Sequence, residues 1–297
     1  MLNVHEYNLI GIGEFSHGIQ ESWQYRLNLL KQTMKQTNKN ITVFIELSIW
    51  QANNIMNYTE IVPKVKPIKY IKNKNIKIEE PVELTQSSSW GKLWQYVMHA
   101  GESNIFLKII KYIRKHSDRI NLIGTDNDML DRDYDMYKII MKNLNKAHIN
   151  FFWAHNAHVD NRQYEKDNLK WIINKKHKWF CGHYLKEKLK DKYCIILSQA
   201  YQGENRFNSY CLGKDCITRI WQLKYFYKKF KHESNKKHVD KLKSFQLLDK
   251  FDSKLIEFSN SYFKKNDYGY HNLYDETTWN YILFWNKVTR LEPYYEY

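Results

Sequence analysis

Cysteine is scarce in this chain, with four in 297 residues: Cys181, Cys194, Cys211 and Cys216. None stands in a CxxC pair, which excludes a zinc ribbon and a disulfide scaffold, and a reducing, cytoplasmic setting is expected. Long apolar runs are also lacking. None approaches the roughly 18 residues of a membrane-spanning helix, so no membrane partner is expected. The opening MLNVHEYNLIGIGEF has no basic stretch and no small-residue cleavage site, so no secretory leader is expected. Disorder is excluded in turn by 43% hydrophobic and 16% aromatic residues.

Acidic residues are outnumbered, 32 against 47 basic ones, for a net charge of +15. Such a surplus can mark a nucleic-acid binder. Here the lysines are spread along the whole chain amid abundant Asn, Ile and Tyr, which is the usage of an AT-rich coding sequence. Phosphate binding needs cations gathered on one surface, so nucleic acid is not an expected partner. The densest basic stretch, residues 63–77, reads as a solvated connection marked by Pro63 and Pro67.

Short apolar runs at residues 9–13, 42–45, 120–124, 149–154 and 193–197 are continuous rather than alternating, as in strands covered on both faces. Between them lie helical patterns. Trp23, Leu27, Leu30 and Met34 form one stripe, and Phe106, Ile109, Ile110 and Ile113 another. The alternation predicts an α/β fold, with a central, mainly parallel sheet flanked by helices. One domain over residues 1–297 is expected, with a mostly helical part from about residue 218. Residues 278–288 read equally as a last strand or a buried helix.

The residues that close those runs carry the chemistry. The first run ends at Glu14, the second at Glu46, the third at Asp126 and the fourth at His155. Open α/β sheets bind ligands beyond the carboxyl ends of their strands, so these four groups are expected in one crevice. The plainer alternative is that polar residues mark where strands leave the core. That alternative is weaker for Glu46, whose apolar neighbours Leu47, Ile49 and Trp50 demand a partner for a carboxylate. In Gly13-Glu14-Phe15-Ser16-His17-Gly18, His17 has the titration range of a general base on water. Ser16 is a poor nucleophile, because adjacent residues on extended backbone point apart. Arg26 sits on or beside the apolar stripe of its helix, where a guanidinium needs carboxylates, and Glu14 and Glu46 are its expected partners. In His155-Asn156-Ala157-His158 the two imidazoles can face one side, although HxxH without a helix and a carboxylate motif is a weak zinc signal.

Taken in order, these segments resemble the erythromycin esterase family. Gly13 to Gly18 matches its G-E-x-[ST]-H-G, Arg26 its downstream arginine and Glu46 its second acidic position. Gly124-Thr125-Asp126 is similar to its G-[FL]-D, and Trp153 to Val159 to its W-x-H-N-x-H-V. Gly182-His183-Tyr184-Leu185 resembles its M-G-x-x-L, with Cys181 in place of Met. The resemblance implies hydrolysis of a carboxylic ester or lactone without a serine triad. It implies His17 as general base, Glu46 positioning His17 or the water, and Glu14 with Arg26 as a supporting pair, with Arg26 near the developing oxyanion. His155 and His158 would line the site and stabilise or protonate the tetrahedral species, and Asp126 would face the substrate. The expected partner is a small ester or lactone, and no cofactor or metal is expected. One departure is large. Only about twenty residues separate Asp128 from Ile149, roughly one helix's worth, where the family carries a long helical insertion. This leaves the floor of a macrolide cleft without its roof.

Two other readings use the same residues. One is a metal-dependent hydrolase with Glu14, Glu46, His17 and His155 or His158 as ligands. The other is a catalytically inactive basic module that keeps the fold and binds a partner.

Overall fold

The computed structural model describes residues 2–15, 19–57, 70–73, 76–79, 104–126, 131–161, 179–209, 224–231, 245–249 and 279–288. His17 and Ser16 lie outside the described residues.

Six strands form a parallel sheet. They are β1 (Leu9–Glu14), β2 (Ile41–Ser48), β5 (Ile120–Asp126), β6 (Ile149–His155), β7 (Tyr193–Ser209) and β10 (Tyr281–Val288), in the order β10-β7-β1-β6-β2-β5. Antiparallel strands extend it: β9 (Phe245–Asp249) beside β10, and β8 (Lys224–Lys231), β4 (Ile76–Glu79) and β3 (Tyr70–Asn73) beside the far half of β7. The described helices are α1 (Gln20–Gln36), α2 (Ile49–Asn57), α3 (Asn104–Lys115), α4 (Arg132–Asn143), α5 (Asn156–Val159) and α6 (Cys181–Leu189).

The continuous apolar runs are explained by two cores, one on each face. Ile10, Ile12, Val43, Ile45, Phe151 and Trp153 pack with Trp23, Leu27 and Leu30 of α1 and Phe106, Ile109 and Ile113 of α3. The alternate residues Leu9, Phe44, Phe152 and Ala154 pack with Met136 and Ile140 of α4 and Leu185 of α6. Side chains alternate along a strand. Both parities must therefore be apolar until the strand leaves the sheet.

Two expectations are corrected in the antiparallel region, and a third, left open, is resolved. The segment from about residue 218, read as mostly helical, holds strands β8 and β9. Lys224–Lys231 is KYFYKKFK, and its three aromatics favour a pleated strand as readily as a helix face. Residues 281–288, left open between strand and helix, form β10; Leu283 and Trp285 enter one core and Ile282 and Phe284 the other, which removes any alternation that would have marked it. The basic stretch read as a connection reaches into the β3–β4 hairpin.

β7 pairs with β1 only through residue 196, and its residues 202–209 pair with β8. Gln202 meets both Lys287 of β10 and Lys231 of β8, so β8 occupies the edge that β1 vacates. The β8-β4-β3 ribbon thus stands beyond the carboxyl end of β1, where the polar strand ends lie.

Candidate active site

The strand ends converge. Glu14 pairs in register with His155, and Ile45 with Trp153, so Glu14, Glu46 and His155 leave three adjacent strands at one level. Asp126 closes β5 beside them, paired with Ser48 across a register shift in β2. That shift needs Gly124, where any Cβ would run into the backbone of Ser48 and Leu47.

Two ion-pair groups are separated by the sheet's alternation. Glu14 follows Ile10 and Ile12 to the α1 face, where Arg26 meets it at 3.3 Å. Arg26 also donates through Nη2 to the carbonyls of Ile12 at 2.9 Å and Ala154 at 3.0 Å, and its guanidinium lies 4.5 Å from the Trp23 ring. Burial lowers the pKa of this guanidinium, and Glu14 opposes the shift. At 1% exposure Arg26 braces the ends of β1 and β6 through the Ile12 and Ala154 carbonyls.

Glu46 follows Phe44 to the opposite face. The expected ion pair between Arg26 and Glu46 is therefore corrected: Glu46 Oε1 takes Arg132 Nη2 at 2.8 Å and His158 Nε2 at 3.3 Å. Its Oε2 accepts the backbone N–H of His155 at 2.7 Å. Asp126 receives Arg132 in two-point fashion, Nε to Oδ1 at 2.8 Å and Nη2 to Oδ2 at 2.6 Å.

His158 is buried and bridges two carboxylates. Nδ1 meets Asp133 Oδ1 at 2.7 Å, and the same oxygen accepts the Cys181 backbone N–H at 3.0 Å. Burial acts to lower the pKa of His158, but Asp133 and Glu46 outweigh it, and the ring is pushed up to about 10. The ring therefore carries its proton at neutral pH, paired with the two carboxylates. His155 differs. Its Nδ1 accepts the Ala157 N–H at 3.2 Å, which fixes the neutral ring's proton on Nε2 and makes that nitrogen a donor. Burial, with Asp133 and Glu46, pushes the Cys181 thiol well up, so it stays protonated. Among the described residues no group of three or more His, Cys, Asp or Glu is arranged to hold a metal ion.

The end of β1 is fixed at Phe15, two residues before His17 in the sequence. Phe15 N–H donates to Ser198 Oγ at 2.9 Å. The Asn156 amide exchanges two hydrogen bonds with the Ser198 backbone, 2.8 Å to its carbonyl and 3.1 Å from its N–H. Asn156 crosses directly over Gly13, where a Cβ would lie 2.9 Å from the Asn156 Cα and overlap its side-chain oxygen. Arg132, Asp133 and Ser198 were not singled out in the sequence. Arg132 and Asp133 lie in a run, Asp131-Arg132-Asp133, that reads as a polar helix start.

No protein-family profile and no curated protein matches this chain. Solved structures do share its fold. A succinoglycan biosynthesis protein superposes with a TM-score of 0.63 at 11% identity, over 97% of this chain and 89% of that one. A Bacillus cereus protein gives 0.58 at 11%, over 96% and 90%. An erythromycin esterase mutant in its open conformation gives 0.63 at 10%, over 97% and 93%. The fold is thus the α/β arrangement of the erythromycin esterase-like structures.

Proposed function

We propose that this protein hydrolyses a carboxylic ester or lactone by direct attack of water in the crevice beyond β1, β2, β5 and β6. The observation that carries the reading is the Glu46 carboxylate, buried at the strand ends between the His155 N–H, Arg132 and His158. The shared fold with an erythromycin esterase supports the same chemistry. In this reading His17, matched to the family's histidine, takes a proton from water as the water oxygen adds to the acyl carbon. The carbonyl electron pair moves onto oxygen. Collapse breaks the acyl carbon–oxygen bond, and the proton held by His17 passes to the leaving alkoxide. The His155 Nε2–H is a donor for the tetrahedral species. Glu46 holds His155 and Arg132 in place for that step, and Glu14 with Arg26 keeps the strand ends rigid.

The test is turnover on a panel of activated esters, lactones and matched amides, with and without chelator. Ester or lactone hydrolysis that survives chelation and is lost in His155→Ala supports the reading. No turnover on any ester or lactone overturns it.

A further inference from the structure

Arg132 belongs to none of the sequence motifs, yet its guanidinium is held at two of its three nitrogens. The Nε–H and Nη2 groups are taken up by Asp126 and Glu46. Nη1 makes no hydrogen bond among the described residues. The Arg132 side chain is 27% exposed, against 8% for each carboxylate that grips it. One edge of the fork is thus anchored, and Nη1 keeps two N–H donors that no described residue takes up. Guanidinium has no acceptor and keeps its charge at any working pH. Its occupant must therefore bring an acceptor oxygen, and the two carboxylates aim the donors before it arrives.

The surroundings narrow the class of occupant. Glu46, Asp126 and Asp133 all act on the Arg132 charge. A ligand carrying a full negative charge would be brought among like charges. A neutral carbonyl oxygen escapes that penalty when it binds and still accepts from the free N–H donors.

We propose that Arg132 Nη1 seats the acyl carbonyl oxygen of a neutral ester or lactone, and that Arg132 supplies the oxyanion contact that the resemblance would give to Arg26. The inference rests on the hydrolase reading for the identity of the substrate, but the seat itself is testable by binding. Acetophenone presents a carbonyl that cannot be hydrolysed, and benzoate presents the same ring with a carboxylate. Saturation-transfer NMR titrations of both are made against the wild type and Arg132→Lys. The lysine keeps a cation for Asp126 and Glu46 but has no second edge.

The wild type is expected to bind acetophenone at least tenfold more tightly than benzoate, and Arg132→Lys to lose at least tenfold of the acetophenone affinity while it still unfolds in one cooperative transition. Equal acetophenone affinity in the two proteins, a preference for benzoate, or no acetophenone binding overturns the proposal. If the variant does not fold, arginine side-chain NMR signals of the wild type decide, because acetophenone must shift one guanidinium set. Acetophenone held through Arg132 without turnover of any ester leaves the carbonyl seat and removes the hydrolase reading. Ester turnover with kcat/KM unchanged in Arg132→Lys does the reverse.

Discussion

Glu46 accepts the backbone N–H of His155 at 2.7 Å, from one strand to its neighbour, immediately past the last paired residues Ile45 and Trp153. A side-chain carboxylate continues the hydrogen-bond ladder where the backbone pairing stops. It leaves the end of β6 closed and turns the His155 ring into the chain's next bend. Because Glu46 also meets Arg132 and His158, removing its charge takes one of two carboxylate partners from each of these cations, leaving Asp126 to the first and Asp133 to the second. Glu46→Ala is expected to cost about 3 kcal/mol of stability, the scale for breaking one side of a buried pair. Urea unfolding measures it, and a loss within error of zero would contradict the pairing.

His158 gives the fold a pH dependence of fixed sign. Its folded pKa of about 10 lies above the unfolded value near 6.5. The protonated ring therefore contributes its full stability below about pH 6.5, and that contribution is lost as pH rises through about 10. The stability difference between the wild type and His158→Gln should be largest at pH 6 and shrink steadily toward pH 10. Denaturant midpoints across that range test it; a difference constant with pH would mean that the ring is neutral in the native state.

Arg26 is held by Glu14 and by the carbonyls of Ile12 and Ala154. Arg26→Ala removes one donor from a buried carboxylate and from two buried carbonyls. A loss of about 3 kcal/mol or more is expected, with Arg26→Lys recovering only part, since one ammonium cannot span a fork's three acceptors. An unshifted unfolding curve in Arg26→Ala would refute the burial.

Gly13 is required by the crossing of Asn156. In Gly13→Ala the new methyl must displace the Asn156 side chain from Ser198, which also anchors Phe15. A cost of about 1–3 kcal/mol is expected, as for overpacking, together with lower esterase turnover, because Phe15 at the end of β1 loses its anchor on Ser198. Calorimetry and an ester assay on the same sample check both parts.

The α/β architecture and the strand-end groups were legible because buried parallel strands write themselves as unbroken apolar runs, and the residue after each run is where polarity can resume. Glu14, Glu46, Asp126 and His155 were readable on that ground alone. The partner of Glu46 was not. Strand parity sends Glu14 and Glu46 to opposite faces, so Arg26 makes its ion pair with the first and feels the second only through its charge. The cations that serve Glu46 come from Arg132 and His158, 86 and 112 positions further along the chain, a pairing fixed only by the fold. Asp133 was hidden for a similar reason: an acidic residue in a helix's first turn reads as solvated, whereas here it faces the buried His158. The β8 segment escaped because aromatics interleaved with lysine fit a helix stripe and a strand equally well.

The central claim is that an imidazole activates water at these strand ends. The most direct measurement is the hydrolysis rate of 4-nitrophenyl acetate by the wild type and by His17→Ala, with the thermal midpoint recorded on both. The expected result is a rate reduced at least a hundredfold in the variant, the lower end of the contribution of a positioned general base, with the midpoint nearly unchanged. Undiminished turnover in His17→Ala would contradict the claim.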